Sequence, residues 1–370
     1  MCIRDSLQTV PARNVFGDGE PIDVVNVIAW IPGTANTKAV LFVGHYDTFP
    51  TTPGGNDATS AVATMLETAR ALQAGPPLAN DVLFLFTDGE EPSDRFGANG
   101  FASIPGIIDR LGLVVNLEAT GGKGASTLVE TGGPRSWLVG NYAAAAPRPT
   151  AFSFLTDLSR MLGDIGTDFD VFRNAGLPGM HFVYLRCAPI YHTMADDAAS
   201  VGAASLRHHG TNSLAIARRF GDLDLAAAPD SGDAVFFTLR PLFVRYGVVW
   251  GVVAAALATA LLAWALARGP IPIGPSARAA GASLLGSLAG AVVGTVLWLI
   301  ITAMRSSPGV EEAYAYLAAL LALCAAATRW VTGRLDGTLE TAIRSHGRVA
   351  LWVVLALITV SYTHLRAHET

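Results

Sequence analysis

Charged side chains are scarce in this sequence. Asp, Glu, Lys and Arg together make up 15% of the 370 residues, whereas apolar residues make up 51% and the mean hydropathy is +0.41. An ordinary soluble protein has about 25% charged residues. The scarcity therefore argues against a chain that is soluble over its whole length, and it raises the question of where the uncharged residues are concentrated.

Charged residues are scarce mainly in the C-terminal region. Residues 236–370 contain ten Arg and five Asp or Glu, a net charge of +5; because the whole chain has a net charge of −5, residues 1–235 carry −10. An acidic globular part is a poor binder of nucleic acid. We therefore expect a globular domain over residues 7–235 that does not bind nucleic acid, followed by a membrane region over residues 236–370.

Cysteine is also rare. The three cysteines, Cys2, Cys187 and Cys324, lie far apart, which argues against a disulfide framework and a cysteine-based zinc site. The first residues, MCIRDS, have no signal peptide or anchor behind them, and the last ten, SYTHLRAHET (residues 361–370), interrupt an apolar helix. Both ends resemble vector-derived tails, so they are left out of the predicted fold, and we expect the sequence to be a fragment.

Four long apolar segments occupy the C-terminal region. The first two each exceed the about 20 residues needed to span a bilayer, the third is shorter, and the fourth is cut by the closing tail. They cover residues 246–267, 279–304, 313–328 and 349–360. Because buried core helices rarely stay uncharged for so long, these segments predict about four transmembrane helices. No acid or base lies deep inside them, which argues against a transport function.

The arginines between these segments predict the orientation in the membrane. If the globular domain lies outside the cytoplasm, six arginines fall on the cytoplasmic side and three on the other, as the positive-inside rule prefers. The six are Arg268, Arg278, Arg329, Arg334, Arg344 and Arg348, and the three are Arg240, Arg245 and Arg305. We therefore expect a multi-pass protein whose globular domain is periplasmic, extracellular or in the lumen of the endoplasmic reticulum.

The globular part alternates between strand and helix patterns. Strand patterns cover residues 23–33, 38–47, 81–91, 112–121 and 179–185, and helix patterns cover residues 60–74 and 204–220. Ser60 is predicted to cap the first helix. This alternation predicts an α/β domain with a mixed, mainly parallel sheet that has helices on both faces.

Acidic residues and histidines follow the predicted strands where each one ends. His45 and Asp47 share a face at one strand end, and Glu118 lies inside an apolar strand, where an acid is costly unless it is paired or bound to a metal. The other residues of this kind are Asp57, Glu90, Glu91 and His192. Taken singly, most are compatible with a turn or a solvated loop. Together they predict a divalent metal site, and the two imidazoles favour zinc.

Five segments occur in an order that resembles the M28 family of zinc metallopeptidases, and most closely its membrane-bound endoplasmic-reticulum branch. They are GHYDTFPTTPGGNDATSAVATMLETARAL, LFTDGEEPSDRFGANGF, VVNLEATGG, TDFDVFRNAGLPGMHFVY and IYHTMADDAASV. As motifs they cover about residues 24–220. The resemblance implies the zinc exopeptidase fold, followed by many transmembrane helices.

The resemblance also implies a set of metal ligands. His45 and Glu118 would bind one zinc ion, Glu91 and His192 would bind a second, and Asp57 would bridge the two. Most family members have Asp where Glu118 stands. The longer side chain is a departure inside the site, and it matches the membrane branch.

Three further residues receive roles from the resemblance, and Asp168 is a further candidate. Asp47 would orient His45, and Glu90 would act as the general base. Tyr191 matches the position of a phenol that stabilises the oxyanion in some members. Asp168 would hold either a substrate amine or a loop.

These roles predict a membrane-anchored, co-catalytic zinc exopeptidase with two zinc ions, most simply an aminopeptidase that hydrolyses N-terminal peptide bonds through a zinc-activated water. Two alternatives remain on the same fold: a glutaminyl-cyclase-like acyltransferase with a single zinc, and a catalytically inactive receptor or scaffold domain. The filled ligand positions argue against the inactive domain. The expected partners are a peptide substrate and the lipid bilayer, and the oligomeric state is left open.

Overall fold

The structure is a computed structural model that describes residues 4–260, with gaps at residues 36–37, 92–93, 163–165, 228–231, 240–241, 254–255 and 258–259. The chain divides into two units, Met1–Val248 and Val249–Thr370. Nearly all of the described residues therefore belong to the first unit.

A seven-stranded sheet forms the centre of the first unit, with the strand order β1-β2-β4-β3-β5-β7-β6. The strands are β1 (Arg4–Arg13), β2 (Pro21–Ile31), β3 (Ala39–His45), β4 (Val82–Thr87), β5 (Leu111–Ala119), β6 (Thr127–Gly132) and β7 (Gly179–Tyr184). Strands β4, β3, β5 and β7 run parallel, whereas β1, β2 and β6 join antiparallel. The predicted mixed sheet is confirmed, but it is parallel only at its centre.

Helices cover both faces of this sheet, as predicted. They are α1 (Thr59–Gln73), α2 (Phe96–Ala102), α3 (Ile107–Arg110), α4 (Arg135–Ala145), α5 (Ser153–Leu162), α6 (Asp168–Asn174) and α7 (Ala203–Gly221). On β3, Val40 and Phe42 pack with α1, α4 and α7, whereas Leu41 and Val43 pack with α2 and α6. Neighbouring strand residues point to opposite faces, so a wholly apolar strand requires cover on both.

Helix α1 begins one residue earlier than the sequence indicates. Ala58 occupies the cap position, Thr59 is the first helical residue, and the Ser60 hydroxyl donates a hydrogen bond to the carbonyl oxygen of Asn56 at 2.7 Å. The prediction that Ser60 caps the helix was therefore wrong. The helix follows directly on the Asp57 loop, and the Ser60 hydroxyl bonds back to that loop.

The sheet also includes residues that the sequence analysis left out of the fold. Arg4, Asp5 and Ser6 belong to β1 and pair in antiparallel register with Trp30, Ala29 and Ile28. The strand pairing of β1 therefore starts within the opening hexapeptide.

The first unit extends beyond the predicted boundary at residue 235. Strands β8 (Ala234–Leu239) and β9 (Leu242–Gly247) form an antiparallel hairpin. The Phe236 side chain is fully buried in the core, and the Thr238 N–H donates a hydrogen bond to the carbonyl oxygen of Ala151 at 3.0 Å. The described residues of 236–247 therefore pack with the globular unit. Their charge and composition had predicted that they belong to the membrane region.

The predicted transmembrane helices lie almost wholly outside the described residues. Only the first overlaps them, and β9 occupies its first two positions. Within the described part of the chain, no helix has the length and apolar character needed to cross a bilayer.

Candidate metal centre

The predicted site residues meet at the carboxyl edge of the four parallel strands. His45 is the last residue of β3, and Glu118 is the last but one of β5. Glu90 and Glu91 follow β4, and His192 lies in the loop after β7. Because parallel strands end at the same edge of a sheet, residues distant in sequence converge there.

His45, Asp57 and Glu118 form the first group of potential metal ligands. The Nε2 atom of His45 lies 3.3 Å from Asp57 Oδ1 and 3.3 Å from Glu118 Oε2. One ligand atom from each residue lies within 4.8 Å of the other two. All three side chains are buried, so the group is largely shielded from water.

Asp57, Glu91 and His192 form the second group. The Nε2 atom of His192 lies 2.9 Å from Glu91 Oε1 and 3.3 Å from Asp57 Oδ2. Asp57 thus belongs to both groups, with one carboxylate oxygen near each imidazole. The peptide bond between Asp57 and Ala58 is cis.

Among the described residues, the carboxylates in and beside the two groups have no positive partner other than histidine. In the described part of the chain, no Lys or Arg forms an ion pair with Asp57, Glu90, Glu91 or Glu118, and Glu118 Oε1 is buried without a hydrogen bond. Buried carboxylates are costly without compensation. Imidazole and carboxylate are ligands that zinc accepts. The residues therefore fit a zinc centre.

Asp47 holds the loop that carries the two adjacent glutamates. Its Oδ1 and Oδ2 atoms accept hydrogen bonds from the N–H groups of Glu90 and Glu91 at 3.2 and 3.0 Å. His45 Nδ1 lies 2.9 Å from the main-chain carbonyl oxygen of Asp47 and 3.6 Å from its carboxylate. The nearer acceptor for His45 is the carbonyl of Asp47, and the Asp47 carboxylate lies within ion-pair distance of His45 while it also positions the glutamates.

Glu90 lies beside the first group without belonging to either. Its Oε2 atom is 3.9 Å from His45 Nε2. Burial, together with the negative charges of Glu118 and Asp168, raises the pKa of Glu90 well above its usual value, although His45 acts in the opposite direction. Burial, with the Asp57 carboxylate assisting, also raises the pKa of Glu91 to about 7. The adjacent glutamates thus occupy different environments.

Asp168 lies beneath the site and has no exposed surface. The hydroxyl of Thr87, the last residue of β4, donates a hydrogen bond to its Oδ2 atom, and burial raises the pKa of Asp168 to about 7. Asp168 therefore joins the end of β4 to the start of α6. The hydrogen bond from Thr87 is compatible with the first predicted role of Asp168, which is to hold a loop in place. The second predicted role, binding a substrate amine, stays a prediction.

Aromatic rings pack against His192. The Tyr191 and Phe49 rings stack on the imidazole with centroid distances of 3.7 and 4.5 Å. His192 has a φ of +55°, a left-handed conformation that is uncommon for residues with a side chain. Burial raises the pKa of the half-exposed Tyr191, as do nearby carboxylates, so its hydroxyl stays a hydrogen-bond donor.

Sequence reasoning missed Asp196, which supports the shared ligand. Its Oδ1 atom accepts hydrogen bonds from the main-chain N–H and the side-chain amide of Asn56 at 2.9 and 2.7 Å, and its Oδ2 atom accepts one from the Asp57 N–H at 3.1 Å. The side chain is buried. The available signal was the pair of acids in TMADD, four and five residues after His192, but nothing local indicates which of them turns inward.

A mixed sheet covered by helices, with two linked groups of potential zinc ligands at the carboxyl edge of its parallel strands, defines a candidate zinc hydrolase. The sequence profile described as peptidase family M28 matches residues 26–217, just over half of the chain. The chain belongs to this family of zinc metallopeptidases.

Several curated proteins are similar to the chain. Endoplasmic reticulum metallopeptidase 1 of Homo sapiens is 30% identical over 249 residues, which cover 62% of this chain and 27% of that protein. Putative endoplasmic reticulum metallopeptidase 1-B of Caenorhabditis elegans is 34% identical, covering 51% and 22%. Vacuolar membrane protease of Candida dubliniensis is 29% identical, covering 57% and 24%. The chain spans about a quarter of the length of the curated relatives it matches.

Solved structures are more distantly similar. An aminopeptidase from Aneurinibacillus sp. strain AM-1 has a TM-score of 0.45 at 22% identity, covering 54% of this chain and 49% of that one. The glutaminyl cyclase of Fimbriiglobus ruber has a TM-score of 0.46 at 20% identity, covering 58% and 80%.

Proposed function

We propose that the chain carries the peptidase domain of a co-catalytic zinc exopeptidase, and that this enzyme is an aminopeptidase. The main supporting observation is that Asp57 belongs to both groups of potential metal ligands. A shared carboxylate suits a two-metal centre, whereas a single-zinc cyclase does not need the second group. Glu90 and Asp47 lie beside the centre without being proposed ligands, and their carboxylates favour a substrate with a positively charged end, such as a peptide N-terminus.

His45, Asp57 and Glu118 would hold one zinc ion, and Asp57, Glu91 and His192 the other. When bound, zinc supplies Lewis acidity, which polarises a carbonyl group and lowers the pKa of a water molecule.

The remaining residues move protons or fix geometry. The carboxylate of Glu90 takes a proton from the attacking water and returns it to the leaving amine, and its place beside the first group of ligands suits both steps. The Asp47 carboxylate holds the main chain of Glu90, which fixes the position of the base. The Tyr191 hydroxyl donates a hydrogen bond to the oxyanion. Asp168 supports the end of β4 through Thr87.

Metal analysis of the purified full chain, combined with hydrolysis of a panel of aminoacyl amides, tests this function. We expect two zinc ions per chain and release of N-terminal residues, with activity lost on chelation and restored by zinc. One zinc ion with cyclisation of N-terminal Gln and no peptide hydrolysis would support the cyclase instead. Zinc binding with neither activity would support the inactive domain.

We also propose that the protein is anchored by several transmembrane helices, with the peptidase domain outside the cytoplasm. Two observations support this: the uncharged segments with their flanking arginines, and the names of relatives that refer to the endoplasmic reticulum and the vacuolar membrane. Protease protection in sealed vesicles tests the orientation. Digestion of the peptidase domain only after the cytoplasmic face is opened would show the reverse topology.

A further inference from the structure

A cavity of about 880 Å³ lies between the loops that follow β5 and β7 and the start of α7. Its cationic side chains are Lys123, Arg148, Arg186 and Arg207, and none of the described residues that line it is acidic. Residues 1–235 have a net charge of −10, so the excess of cations among the described residues that line this cavity is opposite in sign to the net charge of the domain. Such a local reversal of charge indicates an anionic ligand.

Lys123 and Arg186 are held directly opposite each other. The N–H of Lys123 donates to the carbonyl oxygen of Arg186 at 3.0 Å, and the N–H of Arg186 donates to the carbonyl oxygen of Lys123 at 2.8 Å, as in an antiparallel ladder. This pairing fixes the main chain of both residues where they line the cavity.

The stems of both cations pack against glycines. A Cβ atom at Gly124 would lie 3.1 Å from Arg186 Cγ, and one at Gly202 would lie 3.1 Å from Lys123 Cγ. The Nε atom of Arg186 is buried and has no hydrogen-bond partner among the described residues. Arg186 therefore presents an unsatisfied donor on a side chain whose position is already restricted.

Two features of the cavity wall add to this arrangement. The buried His208 accepts a hydrogen bond from the Ser126 N–H at 3.1 Å through Nδ1, and its Nε2 lies 2.9 Å from the carbonyl oxygen of Arg148, which fixes that segment. The N-terminus of the 19-residue helix α7 has no acidic residue in its first turn. Its dipole adds to the positive potential of the cavity.

The cavity and the candidate metal centre share a wall. A Cβ atom at Gly122, the neighbour of Lys123, would lie 3.6 Å from the Nδ2 atom of Asn56, the neighbour of Asp57. The same Nδ2 donates a hydrogen bond to Ser200 Oγ at 2.8 Å, in the loop that carries His192. A peptide with its N-terminus at the centre would therefore lie near the cavity.

We propose that this cavity binds carboxylate groups of the peptide substrate, so that the enzyme prefers peptides with an acidic segment after the N-terminal residue. This inference rests on the proposed function, because it names the substrate class of the same site. Guanidinium groups bind carboxylates through paired, charge-assisted hydrogen bonds. The carboxylate-rich centre would take the ammonium end while the cationic cavity takes the acidic segment, which orients the substrate.

Matched peptides test the preference on the zinc-loaded full chain. A series with Leu at the N-terminus carries Asp or Asn at one later position at a time. At the position that reaches the cavity, we expect kcat/KM to be about tenfold higher for Asp. Arg186→Gln should bring this ratio close to one, whereas Arg218→Gln, which removes the same charge from the far end of α7, should not. A ratio of one at every position in the unmodified chain would overturn the proposal.

A binding measurement separates failure of this inference from failure of the proposed function. A fluorescent peptide with an acetylated N-terminus and several Asp residues is not an aminopeptidase substrate. Its anisotropy should report binding that Arg186→Gln weakens about tenfold and Arg218→Gln does not, even if the chain hydrolyses nothing. Equal binding of the Asn version, or equally effective displacement by inorganic phosphate, would overturn the assignment to peptide carboxylates.

Discussion

Two buried groups of carboxylates lie in the same domain, and they are neutralised in different ways. In the metal centre, Asp57 and Glu118 form ion pairs only with histidines in the described part of the chain. Near α6, Glu130 and Asp170 are fully buried as well, yet Arg173 forms ion pairs with both. Buried charge persists only with compensation. The second group is neutralised by an arginine of the protein, whereas the composition of the first fits a zinc site.

The pKa values of His45 in the metal centre and of His181 near α6 are shifted in opposite directions, which reflects the same difference in how the carboxylates are neutralised. Although burial opposes it, the carboxylates of Glu118 and Glu90 raise the pKa of His45 well above its usual value. His181 lies 3.7 Å from Glu130, but burial, with the positive charge of Arg173 assisting, lowers the pKa of His181 to about 4. A buried acid is therefore a weak indication of function by itself, and the residues that neutralise it carry the information.

The largest effect is expected from Glu90 in the metal centre. Glu90→Gln removes the proposed proton acceptor and keeps the shape of the side chain, so turnover should fall about 100- to 10,000-fold while zinc content is unchanged. Glu91→Gln should lower the zinc content instead, because it alters a proposed ligand. Aminoacyl amide hydrolysis and metal analysis on the same preparations check both. Equal zinc loss in the two variants would contradict these roles.

The next effect concerns the stability of the arginine-neutralised group. Arg173→Met leaves Glu130 and Asp170 without their shared partner, so the free energy of unfolding should fall by about 3–5 kcal/mol with or without zinc. Urea denaturation followed by tryptophan fluorescence measures this change. The exposed Arg218→Met serves as the control and should change stability little. A loss of similar size in both variants would show that the buried ion pairs are not responsible.

The sequence indicated the residues of the candidate metal centre more completely than those of the arginine-neutralised group, for a physical reason. His45 and Glu118 interrupt or end apolar strands, and parallel strands bring such ends together, so the local pattern carries the prediction. Glu130 on β6 meets Arg173 on α6 only through the tertiary fold. Asp196 escaped notice for the same reason, since its partner Asn56 is 140 residues away.

The central strands of the fold were predictable from the sequence, whereas β6 and the hairpin of β8 and β9 were not. Central strands such as β3 and β5 are apolar over most of their length because both of their faces are covered, and they stood out in the sequence. The antiparallel strand β6 contains a buried glutamate that pairs with a distant arginine, which hides its strand pattern. The hairpin of β8 and β9 adjoins a long apolar segment, so composition alone grouped it with the membrane region.

Glu118→Gln should have a smaller effect on the free energy of unfolding, and the sign of that effect should depend on whether zinc is present. Glu118→Gln removes a negative charge from a group without a Lys or Arg partner in the described residues, so in chelator it should raise the free energy of unfolding by about 1 kcal/mol. With zinc present it should lower stability, because a proposed ligand is weakened. Thermal unfolding in chelator and in zinc measures both changes.

Glu130→Gln is the matched control for that reversal. It converts a buried carboxylate into an amide in the same way, but beside Arg173. It should destabilise the chain both in chelator and in zinc because Arg173 loses a partner. A Glu118→Gln effect of the same sign with and without zinc would mean that the metal centre is not short of positive charge.

The smallest expected effect is on the pH dependence of the free energy of unfolding, and it concerns His181. Both ring nitrogens are buried without hydrogen bonds, and burial lowers the folded-state pKa of His181 to about 4, whereas an unfolded histidine titrates at about 6.5. Between these values the unfolded chain binds a proton that the folded chain does not, so stability falls as the pH falls. In chelator, the unmodified chain should therefore lose about 1 kcal/mol more than His181→Gln between pH 7 and pH 5.5. Urea denaturation at the two pH values measures the difference. An identical loss in both chains would show that His181 takes up its proton in the folded state, and the contrast with His45 would then fail.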